Sequence, residues 1–127
     1  MEEEEQKHDQ AQSAEALDLA RRIVDILSDH KAIDIVLMDI RPAASFADYF
    51  VICNGTSDRQ IQALATAVGD ALEEVDSKPR QIEGKASSGW VLMDYGDVIV
   101  HIFSAENREF YKLERIWTTS PTVLRVQ

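Results

Sequence analysis

The fold is decided by the stretch WVLMDYGDVIVHIF, residues 90–103, in which two apolar runs flank a short polar break. Both runs are rich in β-branched and aromatic residues, and a glycine lies in the break. This pattern predicts two antiparallel strands joined by a tight hairpin. With Tyr95 and Gly96 at the turn, Asp94 would lie opposite Asp97. The opposed pairs farther out on the same face would be Leu92 with Ile99 and Trp90 with His101.

The two aspartates of this hairpin allow three interpretations. Opposed carboxylates on neighbouring strands repel each other, so they do not stabilise the sheet. They either project into solvent at the turn, where salt screens their charges, or accept basic groups of a partner protein. The third interpretation is a metal site, and it depends on whether further ligands are available.

A two-metal site of the nucleotidyltransferase type needs an Asp-x-Asp pair on one strand, a third carboxylate and a phosphate-binding turn. The segment Gly55-Thr56-Ser57 precedes a predicted helix and is able to bind an anion there. Ser57 followed by Gln60 is also the pattern of a capping box, so we interpret the segment as a helix cap. Because the sequence contains no Asp-x-Asp pair, we predict no catalytic, metal-binding or cofactor-binding residues.

The remaining reactive side chains give no sign of an active site. His101 has no nucleophile or second ligand beside it in sequence, so we expect it to be a packed residue. Cys53 lies in an apolar run and is expected to be an inert core thiol. As the only cysteine, it excludes an intrachain disulfide and favours a reducing compartment, which makes the cytoplasm the expected location. No apolar run or basic leader predicts membrane insertion or secretion.

The charge of the chain is strongly acidic and unevenly spread. The formal net charge is −10, and residues 1–15 hold six acidic residues and one lysine, a net charge of −5. Binding to a nucleic-acid backbone needs clustered Lys and Arg, so the composition argues against direct DNA binding. A basic protein is the kind of partner that an acidic chain fits.

The hydrophobic period predicts one α/β domain of 127 residues. The elements follow the order α-β-β-α-β-β-β-α, a mixed five-stranded sheet covered by helices. We expect a disordered acidic tail over residues 1–12, an ordered domain over 13–118 and a C-terminal tail over 119–127. The first helix should span about 14–29, and the last helix should begin at the cap Ser104 and carry on one side Phe110, Leu113 and Trp117.

The strings MDIRPAASFADYFVICNGTSDRQIQA and WVLMDYGDVIVHIFSAENREFYKLERIW closely resemble the Iojap family, the ribosomal silencing factors. The resemblance covers roughly residues 14–118. Its landmarks are Ala47-Asp48-Tyr49-Phe50, Gly55-x-Ser57, Glu83-Gly84, Trp90 to Asp94, Gly96-Asp97, His101, Arg108 and Tyr111-x-Leu113-Glu114-x-x-Trp117.

The resemblance implies a nucleotidyltransferase-like fold without enzymatic activity or a cofactor. It further implies a factor that binds protein fourteen of the large ribosomal subunit, on the face that meets the small subunit. A bound factor there blocks subunit joining and represses translation when nutrients are limiting. The acidic residues 1–12 lie outside the family pattern, so the resemblance implies nothing about them.

Under this hypothesis the hairpin and the last helix form the docking surface, with the aspartates as acceptors for basic groups. Tyr111 and Glu114 should lie one helical row apart and face the same partner. Two other functions are open: a metal-dependent nucleotidyltransferase-like enzyme and a structural homodimer. The predicted interface with the ribosomal protein consists of Trp90, Leu92, Asp94, Tyr95, Asp97, Tyr111 and Glu114.

Overall fold

The structure is a computed structural model that describes the backbone of residues 2–116 and 120–127 and the side chains of 14–115 and 120–127. It confirms the α/β class. The elements in chain order are α1 (Glu2–Asp29), β1 (Ile33–Asp39), β2 (Tyr49–Gly55), α2 (Asp58–Glu73), β3 (Gln81–Lys85), a 3-10 turn (Ala86–Ser88), β4 (Trp90–Asp94), β5 (Val98–Ser104), α3 (Ala105–Tyr111), α4 (Leu113–Ile116) and β6 (Thr122–Val126).

The strands form one mixed sheet in the order β3-β4-β5-β2-β1-β6. The central strands β2 and β5 are parallel, and the other neighbouring pairs are antiparallel. The sheet has six strands rather than the predicted five, because residues expected to be a C-terminal tail pair with β1, where Leu37 lies opposite Leu124. Without β6, the backbone N–H and C=O groups at the outer edge of β1 would be unpaired. The β-branched residues after Pro121 favour a strand, and this strand pairs with those groups.

Helices α1 and α2 cover one face of the sheet. The predicted apolar stripe of α2 is confirmed, since Ile61, Leu64, Val68 and Leu72 are all buried. Helix α1 buries a similar stripe that begins at Ala16. Its backbone is helical from Glu2, where the composition led us to expect a disordered tail over residues 1–12. That segment contains no Gly or Pro and consists largely of good helix formers, so the helix can extend through it.

The opposite face of the sheet is also apolar, and no long helix covers it within the described part of the chain. Its buried residues form a second core cluster, against which Trp90, Leu92 and Leu113 pack as partly buried neighbours. Strands β2 and β5 therefore contribute to two cores and are buried along almost their whole length. The second cluster consists of Val36, Met38, Ile40, Ala47, Phe50, Ile52, Ile99 and Phe103.

The segment before α2 is a helix cap, as predicted. The hydroxyl oxygen of Ser57 accepts a hydrogen bond from the backbone N–H of Gln60 at 3.1 Å. The side-chain oxygen of Gln60 accepts from the backbone N–H and the hydroxyl of Thr56, one residue earlier than in a standard capping box. The backbone N–H of Thr56 and that of Gln60 are therefore already bonded within the chain.

The hairpin between β4 and β5 differs from the predicted register by two residues. Asp94 lies opposite Ile99, and Leu92 lies opposite His101. The prediction that Asp94 opposes Asp97 is therefore wrong, and so is the inferred repulsion between them. The turn shifts because the Asp94 carboxylate accepts from the backbone N–H of Gly96 at 2.7 Å, which moves the turn toward Asp97. A shift of two residues leaves every side chain on its predicted face.

The last helix is not continuous, which corrects a second prediction. Helix α3 ends at Tyr111 and is followed by Lys112, whose φ of 47° is left-handed, and α4 begins at Leu113. Phe110 is 77% exposed, so it does not share a buried side with Leu113, which packs on the second core cluster. Trp117 lies outside the described residues.

Replacement of glycine by alanine should have opposite effects at two positions close to β4, Gly84 and Gly69. Gly84 has a φ of +81°, and an added Cβ would lie 2.1 Å from the carbonyl oxygen of Trp90. Gly84→Ala should therefore destabilise the protein by about 3 kcal/mol. Gly69→Ala is the matched control, because an added Cβ there would meet, among the described residues, only the Cε of Met93, at an ordinary contact distance of 3.8 Å.

In the interior of α2, Gly69→Ala should stabilise the protein by about 0.5 to 1 kcal/mol. Chemical denaturation of both variants measures the difference. Equal effects of the two substitutions would contradict the backbone geometry of β3.

Candidate protein-binding surface

Three of the seven predicted interface residues come together on the second face of the sheet. Trp90 and Leu92 project from β4, and Tyr111 closes the group from the end of α3. We call these three residues the aromatic corner. They line a pocket of about 310 Å³, whose polar wall includes Glu83, Ser88 and Asn107.

The indole of Trp90 is held in a fixed position by the sheet beneath it. Its ring packs on Phe103 with a centroid separation of 4.8 Å. Its Nε1–H donates to Nδ1 of His101 at 3.2 Å. One side of the Trp90 ring therefore packs in the core, and the rest of the ring lines the pocket, as an amphipathic aromatic residue can.

His101 is a buried acceptor beneath the aromatic corner and not a base. It is 4% exposed, and burial lowers the pKa of its imidazole to about 4. The neutral ring accepts at Nδ1, so we assign the proton to Nε2. That second nitrogen has no hydrogen-bond partner among the described residues. Protonation at Nδ1 would remove the acceptor that holds Trp90.

Tyr111 is positioned through the N-terminal end of α3. Ser104 caps this helix by accepting from the backbone N–H of Asn107 at 3.1 Å. The side-chain amide of Asn107 donates to the carbonyl of Ser88 at 2.9 Å, which ties α3 to the turn before β4. As a result the rings of Tyr111 and Trp90 lie 4.8 Å apart at an angle of 48°.

The other end of α3 is fixed by a buried arginine. Arg108 is 8% exposed. It donates to the side chains of Glu114 at 3.0 Å and Asn54 at 2.9 Å, and to the carbonyl of Asp34. The Asp34 carboxylate in turn accepts two hydrogen bonds from Arg125 of β6. Glu114 therefore has an internal role as the partner of Arg108, and the expected row shared with Tyr111 is absent, because Lys112 breaks the helix between them.

The three predicted interface residues at the hairpin turn lie apart from the aromatic corner. The carboxylate of Asp94 is occupied because it accepts a hydrogen bond from the backbone N–H of Gly96. The guanidinium of Arg80 lies beside Gly96. The backbone carbonyl of Asp97 accepts from the N–H groups of Asp48 and Tyr49, while its side chain is exposed.

Tyr95 packs against the core that lies between the sheet and helices α1 and α2, with its hydroxyl enclosed. Burial raises the pKa of that hydroxyl. Tyr95 therefore has a core role, although it was predicted to belong to the interface. Tyr95 faces away from the aromatic corner.

Two surface residues beside the aromatic corner were missed by reasoning from the sequence. Phe110 meets the edge of the Tyr111 ring at 5.0 Å and is largely exposed. Glu83 of β3 lies opposite Leu92 and lines the pocket. Glu83 belongs to the Glu83-Gly84 landmark in the sequence. Its place beside Leu92 could not be predicted, because it depends on the pairing of β3 with β4.

The described side chains offer little for catalysis. They contain no group of three or more His, Cys, Asp or Glu residues arranged to hold a metal ion. Burial raises the pKa of the Cys53 thiol to about 12, which keeps it protonated and unreactive at neutral pH. None of the described helices combines the length and apolar character needed to cross a membrane.

The buried histidine predicts how stability changes with pH. The unfolded imidazole titrates near pH 6.5 and the folded one near 4, so between these values only the unfolded chain takes up the proton. Stability should fall as pH decreases through this window, by about 1.5 kcal/mol between pH 6.5 and 5. His101→Gln should lose correspondingly less, since glutamine does not titrate.

Urea denaturation of both proteins at several pH values tests this. Between pH 8 and 7 the histidine is mostly neutral in both states, so the stabilities of the two proteins should change almost in parallel there. Parallel behaviour down to pH 5 would contradict the buried neutral state of His101.

Comparison with known proteins assigns the chain to one family. A family model described as "Ribosomal silencing factor during starvation" matches residues 12–127, which include β6. The ribosomal silencing factor RsfS of Bacillus subtilis is 41% identical over 93 residues, which are 73% of this chain and 79% of that protein.

Two further proteins are similar over most of the chain. A mouse protein named mitochondrial assembly of ribosomal large subunit protein 1 is 32% identical over 99 residues, 76% of this chain and 43% of its own length. A crystal structure of protein CV0518 from Chromobacterium violaceum has a TM-score of 0.77 at 32% identity and covers 80% of this chain and 85% of that chain. The resemblance seen in the sequence is confirmed, and the chain belongs to the family of ribosomal silencing factors.

Proposed function

We propose that this protein binds the large ribosomal subunit through its protein fourteen and prevents the small subunit from joining, which represses translation under nutrient limitation. The observation that carries the proposal is the aromatic corner, an organised and partly exposed set of Trp, Leu and Tyr side chains. Membership of the silencing family and the name of the mouse relative support the choice of the large subunit.

The composition of the aromatic corner is that of a protein-binding site. Tyrosine and tryptophan are enriched among residues that dominate binding energy, because they offer a large apolar area at a small entropic cost. Tyr111 is 43% exposed and Phe110 beside it is 77% exposed. Trp90 is held by Phe103 and His101, so little conformational freedom remains to be lost on binding.

The charge of the protein supports a basic partner. A net charge of −10 attracts a positively charged protein surface and raises the rate of encounter at low salt. The same charge disfavours contact with the phosphates of ribosomal RNA. Docking on an exposed ribosomal protein satisfies both conditions.

We further propose that the protein acts without catalysis. A bound protein that covers a subunit interface blocks joining by steric exclusion alone, and this needs no chemical step. The hydrogen-bonded cap at Ser57 and the separated carboxylates of Asp94 and Asp97 agree with a binding role.

Sedimentation with isolated ribosomal subunits tests the proposal directly. The protein should travel with large subunits and not with small ones, and it should lower the yield of joined ribosomes when both are mixed. Tyr111→Ala should weaken large-subunit binding about tenfold or more, because it removes an exposed aromatic contact.

The matched control is Val75→Ala, which trims an exposed apolar side chain that is 48% exposed beyond the end of α2. It should leave binding unchanged, and thermal melting should show both variants folded. Equal sedimentation with the two subunits, or unaltered joining at saturation, would overturn the proposed function. A Tyr111→Ala protein that binds like the control would place the docking face elsewhere.

Incubation with nucleoside triphosphates and Mg²⁺ or Mn²⁺ tests the competing enzyme hypothesis. We expect no release of pyrophosphate, since a two-metal mechanism needs carboxylates that converge on one site. Turnover that is lost in Asp94→Ala or Asp97→Ala would contradict the non-catalytic proposal.

A further inference from the structure

We propose that the pocket between Glu83 and the aromatic corner receives an arginine side chain of the partner protein. This inference rests on the proposed function and specifies the chemistry by which the same surface recognises its partner. It assigns the acidic role to Glu83 of β3 and not to the two aspartates at the hairpin turn.

The aromatic rings provide two surfaces for a cation. Trp90 and Tyr111 have centroids 4.8 Å apart and an interplanar angle of 48°, so their faces are inclined to each other instead of stacked flat. Leu92 lines the same pocket of about 310 Å³. The faces of Trp and Tyr carry negative electrostatic potential, and a guanidinium placed over them is attracted to it.

Glu83 adds a full negative charge at the polar wall of the pocket. It lies opposite Leu92 across β3 and β4, and its carboxylate accepts a hydrogen bond from the side-chain amide of Gln81 at 2.5 Å. No described cation forms an ion pair with it. Lys85, two residues away and opposite Trp90 in the pairing of β3 with β4, does not line this pocket.

The pocket favours arginine over the other side chains a protein can present. A guanidinium is planar, so its face can lie on an aromatic ring while its edge donates to a carboxylate. Lysine offers only a compact, strongly hydrated charge, and an apolar side chain would leave the Glu83 carboxylate desolvated without a partner. The Trp90 ring is already fixed by His101, so the site is formed before the partner arrives.

Nuclear magnetic resonance with small probes tests the pocket without the ribosome. The full chain is titrated with N-acetyl-arginine amide and, as a matched neutral analogue, N-acetyl-citrulline amide. The indole N–H signal of Trp90 is assigned through its loss in Trp90→Phe. We expect this signal to shift with the arginine probe, to shift much less with citrulline, and to stop responding in Glu83→Gln. Equal responses to both probes, or no response to either, would overturn the arginine pocket.

Binding to large ribosomal subunits tests the same pocket in its proposed setting. Glu83→Gln should weaken binding about tenfold or more, while Glu73→Gln, an equal charge change on the exposed side of α2, should not. Tyr111→Phe should retain binding and Tyr111→Leu should lose it, because only the first keeps an aromatic face.

The two arms separate the failure of this inference from that of the proposed function. Wild-type protein that selects the arginine probe but does not sediment with large subunits would support the pocket and overturn the ribosomal partner. Wild-type protein that binds large subunits, with Glu83→Gln equal to Glu73→Gln, would overturn the pocket and leave the proposed function standing.

Discussion

The buried guanidinium of Arg108 is the interaction on which the arrangement of the C-terminal part depends. It joins Asn54 at the end of β2, the Asp34 carbonyl near the start of β1, and Glu114 in α4. A buried charge is costly unless it is paired and hydrogen-bonded. Glu114 and the Asp34 carboxylate, 3.4 Å from Nη2, supply the opposite charge, while Nη2 itself has no hydrogen-bond partner among the described residues. Because Arg108 lies in α3, the same contacts fix the helix that ends in Tyr111, so the exposed surface depends on a buried polar network.

A second constraint comes from the two-sided burial of β2 and β5. Strands that are apolar on both faces require cover on both, yet α1 and α2 lie on one face only. On the other face the cover comes from large side chains such as Trp90 and Leu113. A side chain that covers the edge of a core remains partly accessible to solvent. Trp90 therefore serves the core through Phe103 and His101 and the surface through its remaining edge.

Local patterns in the sequence predicted the helices and strands well. Features that depend on contacts between distant segments were predicted less well. The caps at Ser57 and Ser104 and the stripe of α2 follow from spacing within a few residues. The hairpin register was wrong because a side-chain hydrogen bond, from Gly96 to Asp94, moved the turn. The break between α3 and α4 could not be predicted, because it lies at Lys112 and not at a Gly or Pro. The pairing of β6 with β1 could not be predicted either, because the two segments are distant in sequence. The role of Glu83 could not be found without the strand order that brings β3 beside β4.

Charge acts at two distances in this protein, and the two effects have different consequences. Half of the net charge, −5 of −10, belongs to residues 1–15, far in sequence from the aromatic corner. Such charge adds to a field that attracts a basic partner, an effect that salt screens beyond about 10 Å. Glu83, by contrast, is an exposed residue at the wall of the pocket, where a charge contact would form only after docking and would then be screened less because the partner covers it. The overall charge would therefore govern the rate of encounter, while this one carboxylate beside two aromatic rings would decide which side chain is accepted and how long it stays.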